Sequence, residues 1–199
     1  MELLPLTVLP AAEAGWDAVQ AVFGLRGGPA ACSCQRFKID GRTFWEAPPE
    51  ELRHRFRAGT AWDDPDAPSP GLVGLLDGEP VGWVAVEPRV AYPHLKRQRL
   101  ALAERGERLD DPAVWSITCF VTRAHFRRRG VSSAMLHAAV GHAVDHGARA
   151  VEGYPMLVEP GSDVPWGETH VGTAQQFARE GFAEVAHPTP RRLVMRLEP

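Results

Sequence analysis

The chain has 199 residues, 22 Lys and Arg against 25 Asp and Glu, a formal net charge of −3 and 44% hydrophobic residues; this suits one domain with a substantial core over residues 1–199. So balanced a charge leaves no electrostatic footprint for nucleic acid or a membrane surface, and no apolar run approaches the roughly 18 residues of a membrane span. Met1-Glu2-Leu3-Leu4 lacks the basic start of a secretory leader, and three cysteines, an odd number, point to a reducing, cytoplasmic setting.

In chain order, Ala11 to Phe23 predicts a helix, bracketed by Pro10 and Gly24. Cys32-Ser33-Cys34 follows. A thiol pair could bind metal or sense redox state, but Cys-x-Cys without a second ligand pair falls short of a zinc signature, so these read as small packing residues beside a cleft and no metal is expected. A second helix begins near Pro48-Pro49-Glu50 and carries Leu52, Arg53, Phe56 and Arg57. Trp62 to Pro70, with three aspartates and three prolines, predicts a loop.

Two apolar runs, 71–76 and 81–86, flank Asp77-Gly78-Glu79-Pro80. Asp-Gly between such runs is a strong hairpin signal. Residues 87–111 form a longer connection with a short charged helix expected over His94 to Arg105. Then Val114 to Thr122 reads as a strand, RAHFRRRG as a loop, and VSSAMLHAAVGHAVDHG as a helix. At Arg127-Arg128-Arg129-Gly130-Val131-Ser132-Ser133-Ala134, three guanidinium groups precede a flexible residue and small side chains at a helix start. Exposed N–H groups and the positive helix end there suit a pyrophosphate, and the arginines add charge around it. Residues 148–154 predict a strand, 173–182 a last helix and Arg192 to Leu197 a final strand.

This order resembles the GNAT superfamily of N-acetyltransferases. Its acyl-coenzyme A loop, Arg/Gln-x-x-Gly-x-Gly/Ala, is matched by Arg127, Gly130 and Ser132, with serine in place of the usual glycine or alanine. The hairpin wording Asp77 to Trp83 and the Gly181-Phe182 stop agree, so the resemblance covers residues 70–197. It implies a mixed α/β fold: a central, mostly antiparallel twisted sheet with splayed central strands and helices on both faces. It also implies direct transfer of acetyl from acetyl-coenzyme A, as co-substrate, to a primary amine of a small molecule or peptide. Residues 1–69 would form the acceptor side. Dimers are common in the family, which makes a homodimer one candidate assembly.

On that resemblance Phe120, Val121 and Thr122 offer backbone groups to the pantetheine arm, one N–H polarising the thioester, while Arg127, Arg128, Arg129, Gly130, Val131, Ser132 and Ser133 hold the pyrophosphate. Acyl transfer also needs a proton acceptor, because an ammonium of pKa about 10.4 is almost wholly charged at neutral pH. Glu152, on the strand beside the pantetheine and on the same face as Tyr154, is the expected base, with Glu87 and His170 as competitors. Many relatives carry a tyrosine as general acid where this chain has Phe177, which leaves Tyr154 as the expected acid and Thr173 or water as substitutes. Cys119 lies near the expected thioester, but a buried thiol is usually inert. Trp16, Trp45, Trp62 and Trp166 are candidate walls of an acceptor pocket, and Asp63-Asp64-Asp66 the one acidic cluster.

Two other classes compete. A non-catalytic acyl-coenzyme A binding or sensing module would bind without turnover. A Rossmann or P-loop protein is disfavoured, since neither Gly-x-Gly-x-x-Gly nor Gly-Lys-Ser/Thr occurs at the turn.

Overall fold

The computed structural model describes residues 4–60, 62, 69–97, 108–159, 164 and 166–199. Strand β1 (Thr7–Pro10) leads into α1 (Ala11–Ala14) and α2 (Trp16–Phe23). The single helix expected over 11–23 is broken because Gly15 adopts φ +83°, outside the helical region. Next come α3 (Gly28–Cys32), α4 (Gly41–Glu46) and α5 (Pro49–Ala58). The short α3 and α4 carry no apolar period that would announce them. Asp40 starts α4 by accepting the Thr43 N–H.

The hairpin forms as expected from β2 (Leu72–Leu76) and β3 (Glu79–Pro88). Its turn residues Asp77 and Gly78 both have positive φ, 52° and 81°, the backbone that matches strand twist. A 3₁₀ turn, Arg89–Ala91, precedes α6 (Pro93–Arg97). The helix expected over His94 to Arg105 starts in α6; its later residues, and most of the expected loop from Trp62 to Pro70, lie outside the described residues. The chain continues through β4 (Val114–Thr122), α7 (Val131–Asp145), β5 (Ala150–Gly153), α8 (Trp166–Thr169), α9 (Ala174–Arg179), β6 (Ala183–Thr189) and β7 (Arg192–Leu197).

The strands form one sheet in the order β1-β2-β3-β4-β5-β7-β6. Every neighbouring pair is antiparallel except β4 and β5. These two pair from Val114↔Ala150 to Ile117↔Gly153 and no further, although β4 runs on to Thr122. The rest of β4 pairs with β3 alone.

β4 carries a bulge where it leaves β5. Ala85 faces Cys119 and Val86 faces Ile117, so Thr118 is the extra residue. An inserted residue reverses the alternation of faces. Before it, Trp115 and Ile117 pack with Val131, Met135 and Leu136 of α7; after it, Phe120 joins that layer. Cys119 and Val121 turn to the opposite layer with Val19, Val22, Phe23 and Phe56 from α2 and α5. The mixed sheet with helices on both faces is the fold class expected from the sequence.

Phe177 of α9 is fully buried where the strands part. Its ring meets Phe120 and Phe182 at centroid distances of 6.1 and 4.9 Å, and a Cβ built on Gly153 would lie 2.0 Å from it. Glycine at 153 is therefore a requirement of close approach. Gly153→Ala should lower stability by about 3 kcal/mol through overpacking, read as a shift in urea midpoint. Phe177→Leu in the same chain should recover part of the loss, giving a coupling that a double-mutant cycle measures.

Candidate functional site

The site grows from the parting of β4 and β5. Along a strand, backbone groups alternate between its two edges. The Phe120 N–H points away from β3 and donates to the His170 carbonyl oxygen at 2.6 Å. The Thr122 carbonyl oxygen is reached by Arg127 Nε at 3.4 Å, a long bond. Alternation turns the Val121 backbone toward Trp83 of β3. Of the three residues expected to serve pantetheine, then, Phe120 and Thr122 face the free edge and Val121 does not.

The loop after β4 reaches α7 through a 3₁₀ turn, Ala124–Phe126, followed by Arg128 at φ +60° and Gly130 at φ +86°. No side chain caps α7, and a Cβ on Gly130 would meet nothing within 4 Å. The uncapped start of α7 thus stands beside three exposed arginines, 127 to 129, with the Ser133 N–H donating to the Gly130 carbonyl oxygen. Arg129 lies over the Phe126 ring at 5.4 Å. Ser132 is tied down: Gln176 Nε2 of α9 donates to its hydroxyl at 2.8 Å and to its carbonyl oxygen at 2.9 Å. The serine that departs from the family pattern therefore bridges the two helices flanking the loop, a role that sequence alone gives no signal for.

A cavity of about 390 Å³ connects this loop to the α2 end, lined among others by Phe23, Gly27, Pro29, Thr122 and Arg127. A second, of about 340 Å³, is walled by Phe44, Trp45, Leu52, Arg36, Cys32 and His170. Gly28 lines both.

Glu152 belongs to neither. It is wholly buried, and each carboxylate oxygen accepts from a guanidinium, Oε2 from Arg89 and Oε1 from Arg196, both at 3.1 Å. Arg89 also donates to the Arg108 carbonyl oxygen at 2.7 Å. The Tyr154 hydroxyl donates to Glu152 Oε2 at 3.2 Å and lies 2.9 Å from Ser116 Oγ. Burial pushes the Tyr154 phenol well above its usual range, with the Glu152 charge adding to it. The expected base and acid are thus both buried and hydrogen-bonded among their own partners, and neither lines either of the two cavities described above. Spacing put them on one face rightly, but the arginines that claim them come from distant segments.

Of the competitors, Glu87 is held by Lys38 at 2.6 Å. Thr173 caps α9, accepting the Gln176 N–H. His170 remains at the junction. Its backbone oxygen holds the β4 free edge, its ring walls the second cavity stacked at 6.3 Å on Phe37, and its Nδ1 lies 3.0 Å from the Gly167 carbonyl oxygen. That contact makes Nδ1 the protonated nitrogen of the neutral ring and Nε2 the basic one.

The Cys119 thiol is raised well above its usual range by a hydrogen bond to Cys34 and by burial, and burial with the neighbouring Cys34 pushes Cys32 up to about 11. Such thiols stay protonated and are poor nucleophiles. Cys34 also accepts the Trp83 indole N–H at 3.1 Å. Among the described residues no group of three or more His, Cys, Asp or Glu converges as a metal site would require, and no helix is long and apolar enough to cross a membrane. Trp16 and Trp62 pack on each other and on Phe56; Trp45 lines the second cavity. Asp63, Asp64 and Asp66 and the Trp166 side chain lie outside the description.

If Glu152 is structural, Glu152→Gln should cost about 3–5 kcal/mol by leaving two buried guanidiniums short of their counter-charge. Chemical denaturation reads this directly. An intact fold with a selectively altered pH–rate profile would return Glu152 to the catalytic candidates.

Compared with known proteins, residues 39–154 match the model of the acetyltransferase (GNAT) family. A GCN5-related N-acetyltransferase from Kribbella flavida has 19% identity over 98% of both chains and a TM-score of 0.53. An N-acetyltransferase from Staphylococcus aureus has 12% identity over 98% of this chain and 99% of its own, with a TM-score of 0.53. An acetyltransferase from Thermus thermophilus aligns over 100% of both chains at 16% identity and a TM-score of 0.53. These likenesses show a shared fold. A comparison with curated proteins finds no significant match.

Proposed function

The chain belongs to the GNAT acetyltransferase family, and on that premise we propose that it transfers the acetyl group of acetyl-coenzyme A directly to a primary amine. One observation carries the reading: β4 leaves β5 at Ile117↔Gly153 and delivers a free edge straight into the uncapped, arginine-flanked start of α7. A free strand edge suits the amides of pantetheine, and open helix N–H groups suit a pyrophosphate.

In this reading Arg127 to Ser133 hold the pyrophosphate, and pantetheine follows the cavity lined by Thr122 and Arg127. A pantetheine amide N–H replaces Arg127 at the Thr122 carbonyl oxygen, and the thioester oxygen replaces the His170 carbonyl oxygen at the Phe120 N–H. The Phe120 N–H is then the donor for the negative charge that develops on the thioester oxygen. Residues 1–69 supply most of the acceptor cavity, with Gly28 at its junction with the coenzyme cavity. His170 takes one proton from the acceptor ammonium, and the neutral amine attacks. The C–S bond breaks as the C–N bond forms, and the second proton of the nitrogen passes through water to the departing thiolate, because Phe177 has none to give and Tyr154 is enclosed.

Calorimetric titration with acetyl-coenzyme A, followed by amines while free thiol is monitored, tests the proposal. Binding with thiol release is expected; binding with no release for any amine would leave an acyl-coenzyme A binding module, and no binding would overturn the reading. Arg127→Ala with Arg129→Ala should weaken acetyl-coenzyme A binding about 10- to 100-fold, as two charge-assisted contacts are lost. His170→Gln should depress turnover at neutral pH more than at pH about 10, where the amine sheds its own proton. Equal loss at both would mark a positioning role.

A further inference from the structure

Resting on the transfer reading above, we propose that the acceptor is a free amino acid with a large apolar or aromatic side chain, its carboxylate held by Arg36. Arg36 is the one permanently charged side chain lining the second cavity, and no carboxylate lines it among the described residues. A polycationic acceptor would find repulsion there; an anionic group finds a partner.

The guanidinium of Arg36 is oriented by stacking over Trp45, 5.5 Å from the ring centroid. No carboxylate of the described residues pairs with it. Its surroundings add positive charge. Arg192 is close enough that the Arg36 charge, after burial, pushes the Arg192 pKa down, and Arg191 pairs with Glu168 at 2.8 Å. Arg192 thus feels the charges of Arg36 and Arg191 with Glu168 opposing them, a local excess of positive charge near Arg36 that a substrate carboxylate offsets.

The remaining wall is apolar: Phe44, Leu52 and Trp45, the last 73% exposed. An exposed tryptophan beside a cavity is surface that an apolar ligand group covers. His170 lines the same space as Arg36, so one small molecule can present its amine to the first and its carboxylate to the second. At about 340 Å³ the cavity lies at the small end of ligand sites, which favours a single amino acid over a peptide.

The test compares L-phenylalanine, phenylalaninamide and phenethylamine as acceptors in the thiol-release assay, in wild type and Arg36→Gln. Wild type should favour phenylalanine in kcat/KM by about 10- to 100-fold, the value of one charge-assisted pair, and Arg36→Gln should collapse that preference toward one. Unchanged acetyl-coenzyme A affinity shows that the variant is folded. Phenethylamine or the amide matching phenylalanine in wild type, or a preference that survives in the variant, overturns the amino-acid assignment while transfer itself stands. If no amine releases thiol, phenylalanine is titrated into the protein with coenzyme A present. Binding that Arg36→Gln abolishes upholds the site while the transfer reading fails; no binding up to about 10 mM overturns both.

Discussion

The separation of β4 from β5 is the constraint on which the rest of this molecule depends. A sheet left to itself would continue its ladder, since backbone groups withdrawn from water need partners. Here the ladder ends at Ile117↔Gly153. Thr118 is inserted as a bulge there, which bends β4, and the Phe177 ring packs directly on the face of Gly153, the last paired residue of β5. The free-edge groups do not go unsatisfied. Phe120 N–H finds the His170 carbonyl oxygen and Thr122 C=O finds Arg127.

Below the parting, the sheet is locked by charge. Glu152 faces Ser116 on β4 and Arg196 on β7 across its two ladders, and Arg89 reaches it from the turn after β3. One carboxylate thus ties β5 to β7 and to the segment leaving β3, and reaches Ser116 of β4 through the Tyr154 hydroxyl. Burying three ionised groups has a large desolvation cost, offset only by good geometry and further hydrogen bonds; Arg89 to the Arg108 carbonyl oxygen and Arg196 to Glu198 at 3.0 Å are such bonds. These bonds hold β5, β7 and the turn after β3 together just below the parting.

Much of this was legible in the sequence, and the rest was hidden for identifiable reasons. Asp77-Gly78, the Arg127 to Ser133 loop and the final strand, Arg192 to Leu197, are local features, set by turn chemistry and by residues adjacent in the chain. They fall where expected. The break at Gly15 is also local, but a glycine inside an apolar period does not declare whether it will be helical or not. The roles of Glu152 and Tyr154 depend on Arg89, Arg196 and Ser116, far away along the chain, so alternation could place their face and not their partners. The bulge at Thr118 has no residue signature in VWSITCFVT, yet it decides that Phe120 rather than Cys119 turns its N–H to the free edge. Arg36 stands alone in its segment and gains meaning only from the cavity around it.

Phenylalanine at 177 joins these threads. With its ring fully buried against Gly153, Gly172, Phe120 and Phe182, the position serves packing. A phenol there would place a hydroxyl in an apolar wedge, where a polar group without a partner is costly. The apolar ring gives a tighter parting and removes a proton donor from the β5 side of the cleft. On the other side of the parting stands His170, whose carbonyl oxygen accepts the Phe120 N–H and which lines the second cavity. A single residue thereby links the unpaired edge of β4 to that cavity.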